Sequence, residues 1–289
     1  MRTLPSPPSD LTDQVARALQ EDVGDGDVTA TLVPKTQTVH GKVITREDAI
    51  LCGRPWVTET FRQLDPEVRL TWHSADGDSI SANQTLFEID GLARPVLTGE
   101  RTALNFLQLL SGTATAAHKF AQAIAGTDAT IIDTRKTLPG LRTAQKYAVA
   151  CGGARNHRMG LFDQVLIKEN HIAAAGSLTA AIVAGRQAAG ARKVEVEVET
   201  LEEFSEALRA APDIILIDEF SLADMRAAVA LNRESKRPVK LEASGSVTLE
   251  TVRTVAETGV DYISIGSITK HVRAVDLSMR LDFKNSGNS

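Results

Sequence analysis

The amino-acid sequence predicts an α/β protein: an incomplete β/α barrel preceded by an α+β domain. Three features predict it. From residue 130 onward, six apolar segments alternate with helical ones, and repeated β-α units with short connections build a parallel sheet. Each of those segments runs into a polar residue or a glycine, at Asp133, Lys168, Glu199, Asp218, Ser244 and Gly266; barrels assemble their active sites from such strand ends. Before residue 112 the chain shows short alternating strands and few helices, the mark of an α+β domain. The barrel half, 112–272, holds about 160 residues against the roughly 250 typical of a complete barrel, so it is abbreviated. Residues 273–289 are assigned to the first domain, with 1–111.

In chain order, Leu11, Val15, Ala18 and Leu19 recur at helical spacing behind Asp10, a candidate cap. The acidic run Glu21–Thr29 breaks that helix; its spacing is not that of an EF-hand loop, and it reads as a polar turn. Val39, Gly41 and Val43 alternate as a strand that turns at Arg46-Glu47-Asp48. Gly53–Leu64 reads as a helix that buries Trp56, Val57, Phe61 and Leu64. Val68–Trp72 and Leu86–Ile89 read as strands, with turns at Asp76-Gly77 and Asp90-Gly91. Glu100–Leu110 is an amphipathic helix with Leu104, Leu107 and Leu110 on one face. Its first turn would hold Arg101, where the helix dipole disfavours a cation. The barrel strands are expected at 130–133, 165–168, 194–198, 214–218, 239–243 and 262–266. Helices are expected at 143–151, 177–188, 201–210, 222–232 and 248–258, and the last residues, 284–289, read as a polar tail.

Composition narrows the partners. The formal charge is −5 over 289 residues, which argues against nucleic acid as the main partner. No run approaches 18 apolar residues, so no membrane span is expected. The proline-rich start has no apolar core of a secretory signal. Cys52 and Cys151 are the two cysteines and lack metal-ligand spacing, so they read as buried thiols in a reducing, cytoplasmic setting.

Against this acidic background, Asp133–His171 is cationic. It carries Arg135, Lys136, Arg142, Lys146, Arg155, His157, Arg158, Lys168 and His171 against Asp133, Asp163 and Glu169. Cations gathered where buried strands end are there to hold anions, because crowding them is otherwise costly. Glu195, Glu197 and Glu199 alternate with valines, so one strand face would carry all three, with Asp218 as a fourth acid. Such acids can pair with the cations, hold Mg²⁺ or bind sugar hydroxyls. Two loops of small residues, Glu242-Ala-Ser-Gly-Ser and Ile265-Gly-Ser, follow the last two strands, where barrels bind phosphate through backbone N–H groups. The inventory fits a phosphorylated sugar and a polyanionic co-substrate.

Several stretches carry a resemblance. Thr98-Gly-Glu-Arg-Thr-Ala-Leu-Asn, Asp133-Thr-Arg-Lys-Thr-Leu-Pro-Gly-Leu-Arg, Asn156-His-Arg, Leu166-Ile-Lys-Glu-Asn-His, Glu195-Val-Glu-Val-Glu and Thr269-Lys-His closely resemble the quinolinate phosphoribosyltransferase family. The likeness runs from about Leu11 to Phe283. It implies an open α/β sandwich joined to a seven-stranded barrel. It implies that quinolinate and phosphoribosyl pyrophosphate, with Mg²⁺, give nicotinate mononucleotide, pyrophosphate and CO₂ in NAD biosynthesis. It also implies a homodimer in which Arg101 serves the partner's site.

By the same resemblance Thr134, Arg135, His157, Arg158 and Lys168 would hold quinolinate, and Lys136 would sit near the pyrophosphate. Glu197 and Asp218 would lie by the ribose and metal. Ser244, Gly245, Ser246, Ile265, Gly266 and Ser267 would form the 5′-phosphate cup. Arg155, Ser246 and Glu219 depart from the residues more usual in the family. Two other readings stand beside this one: a Schiff-base enzyme using Lys168, and a non-catalytic relative with the same fold.

Overall fold

A computed structural model describes residues 4–283. In chain order the elements are α1 (Leu11–Val23), β1 (Thr38–Thr45), β2 (Ala49–Ile50), α2 (Arg54–Leu64), β3 (Arg69–Trp72), β4 (Ser79–Ile80), β5 (Thr85–Leu92), α3 (Ala93–Ala123) and β6 (Thr130–Ile132). There follow α4 (Arg142–Gly152), β7 (Val165–Ile167), α5 (Glu169–Ala175), α6 (Leu178–Ala189), β8 (Val194–Val198), α7 (Leu201–Ala210), β9 (Ile214–Asp218) and α8 (Leu222–Glu234). The last are β10 (Lys240–Ser244), α9 (Val252–Ala256), β11 (Tyr262–Ser264), α10 (Ser267–Lys270) and β12 (Leu277–Phe283). They form two compact units. One comprises residues up to His118, Thr137–Gly153 and the chain from Ile268; the other comprises Lys119–Lys136 and Ala154–Ser267.

The first unit carries an antiparallel sheet of order β12-β1-β5-β3. Val39, Gly41 and Val43 of β1 face inward, as their alternation predicts, and pack with Phe61, Phe87, Ile89, Leu104 and Leu107. Trp56 is buried in a second cluster with Val15, Phe106 and Tyr147, and its indole N–H donates to Gln14. The acidic run after α1 is a turn: Asp27 accepts the N–H groups of Thr29 and Ala30 and the Thr98 hydroxyl.

Three expectations fail here. Asp90-Gly91 is no turn but lies inside β5, paired to β1 and, at Asp90, also to β3. A Cβ at Gly91 would fall 3.0 Å from the Val68 side chain, so glycine lets Val68 pack closely against the strand. The helix expected at Glu100–Leu110 is the middle of α3. Pro95 is accommodated in its first turn, where no N–H is required, so Arg101 lies well inside the helix and the dipole argument for it falls. Asp10 precedes α1 without a side-chain capping bond and instead accepts from Gln14 and Thr143.

The second unit carries a parallel sheet of order β6-β11-β10-β9-β8-β7. Its strands fall within two residues of their expected bounds, as do all the expected helices but one: α9 is shorter than the 248–258 expected. Ser177, Thr200 and Ser221 cap α6, α7 and α8 through their hydroxyl oxygens. The sheet has six strands. Where a seventh is implied, a single parallel bridge joins Ile132 to Arg155, with the Arg155 N–H on Ile131 and the Asp133 N–H on the Arg155 carbonyl. Among the described residues, no helix is long and apolar enough to cross a membrane.

Candidate active site

Strand pleating sets the site in the second unit. On β8 the valines are buried on one face, and Glu195 and Glu197 take the other. Glu199 lies past the strand end, exposed, so it does not join them as the alternation predicted. A cavity of about 250 Å³ opens at the C-terminal ends of the strands, and Thr134, Arg135, Lys136, His157, Arg158, Lys168, Glu197, Glu242, Ser244 and Ser264 line it. The predicted cations are therefore brought together. Burial, and then the charge of Arg135, lower the Arg158 pKa: the guanidinium groups crowd one another, and an anion between them relieves the strain. Lys168 is paired with Glu197 Oε2.

Asp133, fully buried, is no mouth acid. It accepts the His157 N–H at 2.8 Å and holds the His157–Arg158 segment beside β6. His157 in turn faces inward. Its Nε2 lies 3.0 Å from Glu195 and 3.4 Å from Glu242, and the Arg158 N–H donates to Nδ1 at 2.6 Å. Burial works to lower the His157 pKa, and the hydrogen bonds and charges of the two carboxylates more than reverse it. Because Nδ1 accepts an amide N–H, the ring proton is assigned to Nε2, shared toward Glu195. Ligand atoms of His157, Glu195 and Glu242 all lie within 4.8 Å of one another. Two buried carboxylates this close repel when both are charged. Burial and the charge of Glu195 push the Glu242 carboxyl up to about 7, while Glu195 also accepts from Gln164 at 2.6 Å.

Asp218 ends β9 opposite Ser244 of β10, and among the described residues its carboxylate accepts no hydrogen bond. Next to it, Gly245 has φ +127°, which a side chain resists, and a Cβ there would fall 2.9 Å from the Glu219 carboxyl. Ser246 donates to that same carboxyl at 3.0 Å, so two of the unusual residues, Ser246 and Glu219, bond each other. Gly266 leaves room for Lys136, whose Cδ lies 3.1 Å from where a Cβ would stand. Ile265 offers less: its side chain is buried and its N–H is used on Ile132. Ser267 opens α10. Arg101 is exposed on α3 in the first unit. Arg155 serves the bridge to β6.

Models of the quinolinate phosphoribosyl transferase N-terminal and C-terminal domains match residues 27–111 and 113–280. The chain belongs to the quinolinate phosphoribosyl transferase family. Similar proteins span nearly its whole length. A solved structure of nicotinate-nucleotide pyrophosphorylase from Francisella tularensis is 44% identical, with a TM-score of 0.91 over 95% of this chain and 97% of that one. The curated carboxylating nicotinate-nucleotide pyrophosphorylase of Mycobacterium leprae is 41% identical over 277 residues, 93% of this chain and 96% of its own. A probable enzyme of the same name from Bacillus subtilis is 40% identical over 266 residues, covering 92% and 91%. Human nicotinic acid phosphoribosyltransferase, at 15% identity and a TM-score of 0.63, shares the fold alone.

Within this family's motifs, reasoning from sequence passed over Glu242 and Gln164 as site residues. Glu242 had a signal: it stands two residues before Ser244 and so shares its strand face.

Proposed function

We propose that this chain transfers the phosphoribosyl group of phosphoribosyl pyrophosphate to quinolinate and releases pyrophosphate and CO₂, giving nicotinate mononucleotide for NAD biosynthesis. The observation that carries the reading is the cationic mouth, with Arg135, Lys136, Arg158 and Lys168 around one cavity in a chain of net negative charge. Quinolinate is a dianion, and bidentate guanidinium groups suit two adjacent carboxylates. Thr134 and His157 complete its surroundings, and Arg101 of a second copy would close over it in a homodimer.

The loops after β10 and β11 would take the 5′-phosphate, on Ser244, Gly245, Ser246, Ile265, Gly266 and Ser267. Glu197 and Asp218 are hard oxygen donors near that end, and Asp218 has its lone pairs available, so the residues present fit Mg²⁺ arriving on the pyrophosphate. Bound there, the ion would neutralise charge on the departing pyrophosphate. Lys136 would assist the same departure. Glu197 and Asp218 would stabilise positive charge on the ribose C1, and Lys168 would leave its Glu197 partner for a substrate carboxylate. Holding two mutually repelling anions side by side supplies much of the rate. Two free, buried cysteines fit a cytoplasmic setting.

The test is stoichiometry. Purified protein with quinolinate, phosphoribosyl pyrophosphate and Mg²⁺ should release one pyrophosphate and one CO₂ per quinolinate consumed, and a chelator should stop it. Binding of quinolinate without pyrophosphate release would support the non-catalytic relative instead. Trapping of a carbonyl substrate on Lys168 by borohydride would support the Schiff-base reading.

A further inference from the structure

Glu242 has no task in the transfer as derived above, yet it occupies a distinctive place. It is 1% exposed, neither carboxyl oxygen has a well-formed hydrogen bond, and His157 Nε2 stands 3.4 Å from Oε2. It lines the mouth cavity and also a second cavity of about 150 Å³. That second cavity lies toward the opposite ends of the strands, since Lys193 just before β8, Ile214 at the start of β9 and Tyr262 at the start of β11 line it. Arg155 and Lys193 at its rim are exposed, so it meets solvent, and it has room for roughly five waters at about 30 Å³ each. The carboxyl thus stands between the substrate chamber and a water-sized chamber on the far side of the barrel.

Decarboxylation needs a proton, and here the inference rests on the proposed function. We propose that Glu242 is the acid that protonates C2 of the pyridine ring as CO₂ leaves, with water in the lower cavity restoring its proton. The bond from C2 to its carboxylate breaks with the electron pair left on C2, beside the ring nitrogen that carries positive charge. That pair takes the Glu242 proton to form C2–H. Glu242 is left as a carboxylate, which water from the lower cavity reprotonates, so one proton is consumed per CO₂ released.

Neighbouring groups are less suited. Arginine does not give up a proton; His157 turns its Nε2 proton to Glu195; Lys168, in the proposed function, is engaged by a substrate carboxylate that favours its charged form. The groups facing Glu242 are Glu195 from β8 and His157, with Leu216 and Tyr262 as its ladder neighbours on β9 and β11. Burial, and then the charge of Glu195, raise the Glu242 pKa to about 7, the range in which a general acid works best.

The experiment compares the parent chain with Glu242→Gln in an equal mixture of H₂O and D₂O, reading kcat, quinolinate KM and the H/D ratio at C2 of the product. Loss of the carboxyl donor should shift that ratio toward the value for protonation by water. It should also lower kcat about 100-fold, with KM within about twofold. An unchanged ratio, with or without a fall in kcat, would overturn the proposal and leave Glu242 a structural residue. A shifted ratio with kcat unchanged supports it, with protonation faster than the slow step. If the Gln variant does not fold, Glu242→Met, of similar length, is read the same way. No turnover by the parent would overturn the proposed function, and this inference with it; turnover by the parent with an unshifted variant overturns this inference alone.

Discussion

Arg135 and Glu242 line one cavity and contribute in opposite ways. Arg135 is a cation crowded against Arg158, a position that becomes favourable when a carboxylate fills it. Arg135→Ala should raise the quinolinate KM about 10- to 100-fold, the range expected for losing a charged hydrogen bond; steady-state kinetics with unchanged KM would remove the residue from the site. Glu242 also shapes stability. Its pKa is raised from 4.5 to about 7 by burial and by Glu195, so between those values the folded state holds a proton that the unfolded state has released. Its contribution is full below about pH 4.5 and declines as pH rises toward 7, by up to a few kcal/mol.

Urea midpoints of Glu242→Gln should therefore fall less than the parent's between pH 5 and 8, and parallel curves would contradict the assignment. At this scale the sequence shows the cations plainly, because their density is a composition signal. Asp133 and His157 were legible as residues but not as partners. That Asp133 holds a backbone N–H and that His157 turns toward Glu195 follow from contacts across the sheet, which spacing along the chain does not encode.

Secondary structure was legible where pattern and length agree. All six barrel strands are near their expected bounds, since buried parallel strands are short apolar runs. Helix α3 was found only in its middle: Pro95 and Gly99 obscure its start, and each is tolerated by position or packing that periodicity does not report. Strand β12 carries the alternation Leu277, Met279 and Leu281, but its pairing with β1 joins segments more than 200 residues apart. Close packing also explains a glycine that propensity disfavours. A Cβ at Gly152 in α4 would stand 2.2 Å from the Ala114 carbonyl of α3. Gly152→Ala should cost about 1–3 kcal/mol, lowering Tm by several degrees in a thermal melt; an unchanged Tm would mean the two helices separate freely at that point.

For the whole molecule, the family and the architecture of each unit were legible because long motifs carry them. The proposed role of Arg101 needs a second copy of the chain. Its exposed place on α3 fits the proposal that it serves the second copy of a homodimer, and mixing tests this. Arg101→Ala and Arg135→Ala proteins, assayed at quinolinate far below their raised KM so that each alone turns over little, should recover about a quarter of parental activity after subunit exchange, because half the dimers are mixed and one of their two sites is intact. Recovery absent after verified exchange would place Arg101 in its own chain's site or outside catalysis.

The central claim is that the barrel mouth is built for two adjacent carboxylates, and substrate discrimination tests it most directly. The measurement is kcat/KM for quinolinate and for nicotinate, each with phosphoribosyl pyrophosphate and Mg²⁺. Quinolinate should be preferred by 100-fold or more, since the singly charged acid brings only one carboxylate to the half-buried cations of the mouth. Equal use of the two acids, or preference for nicotinate, would contradict the reading of Arg135, Arg158 and Lys168 as a two-carboxylate clamp.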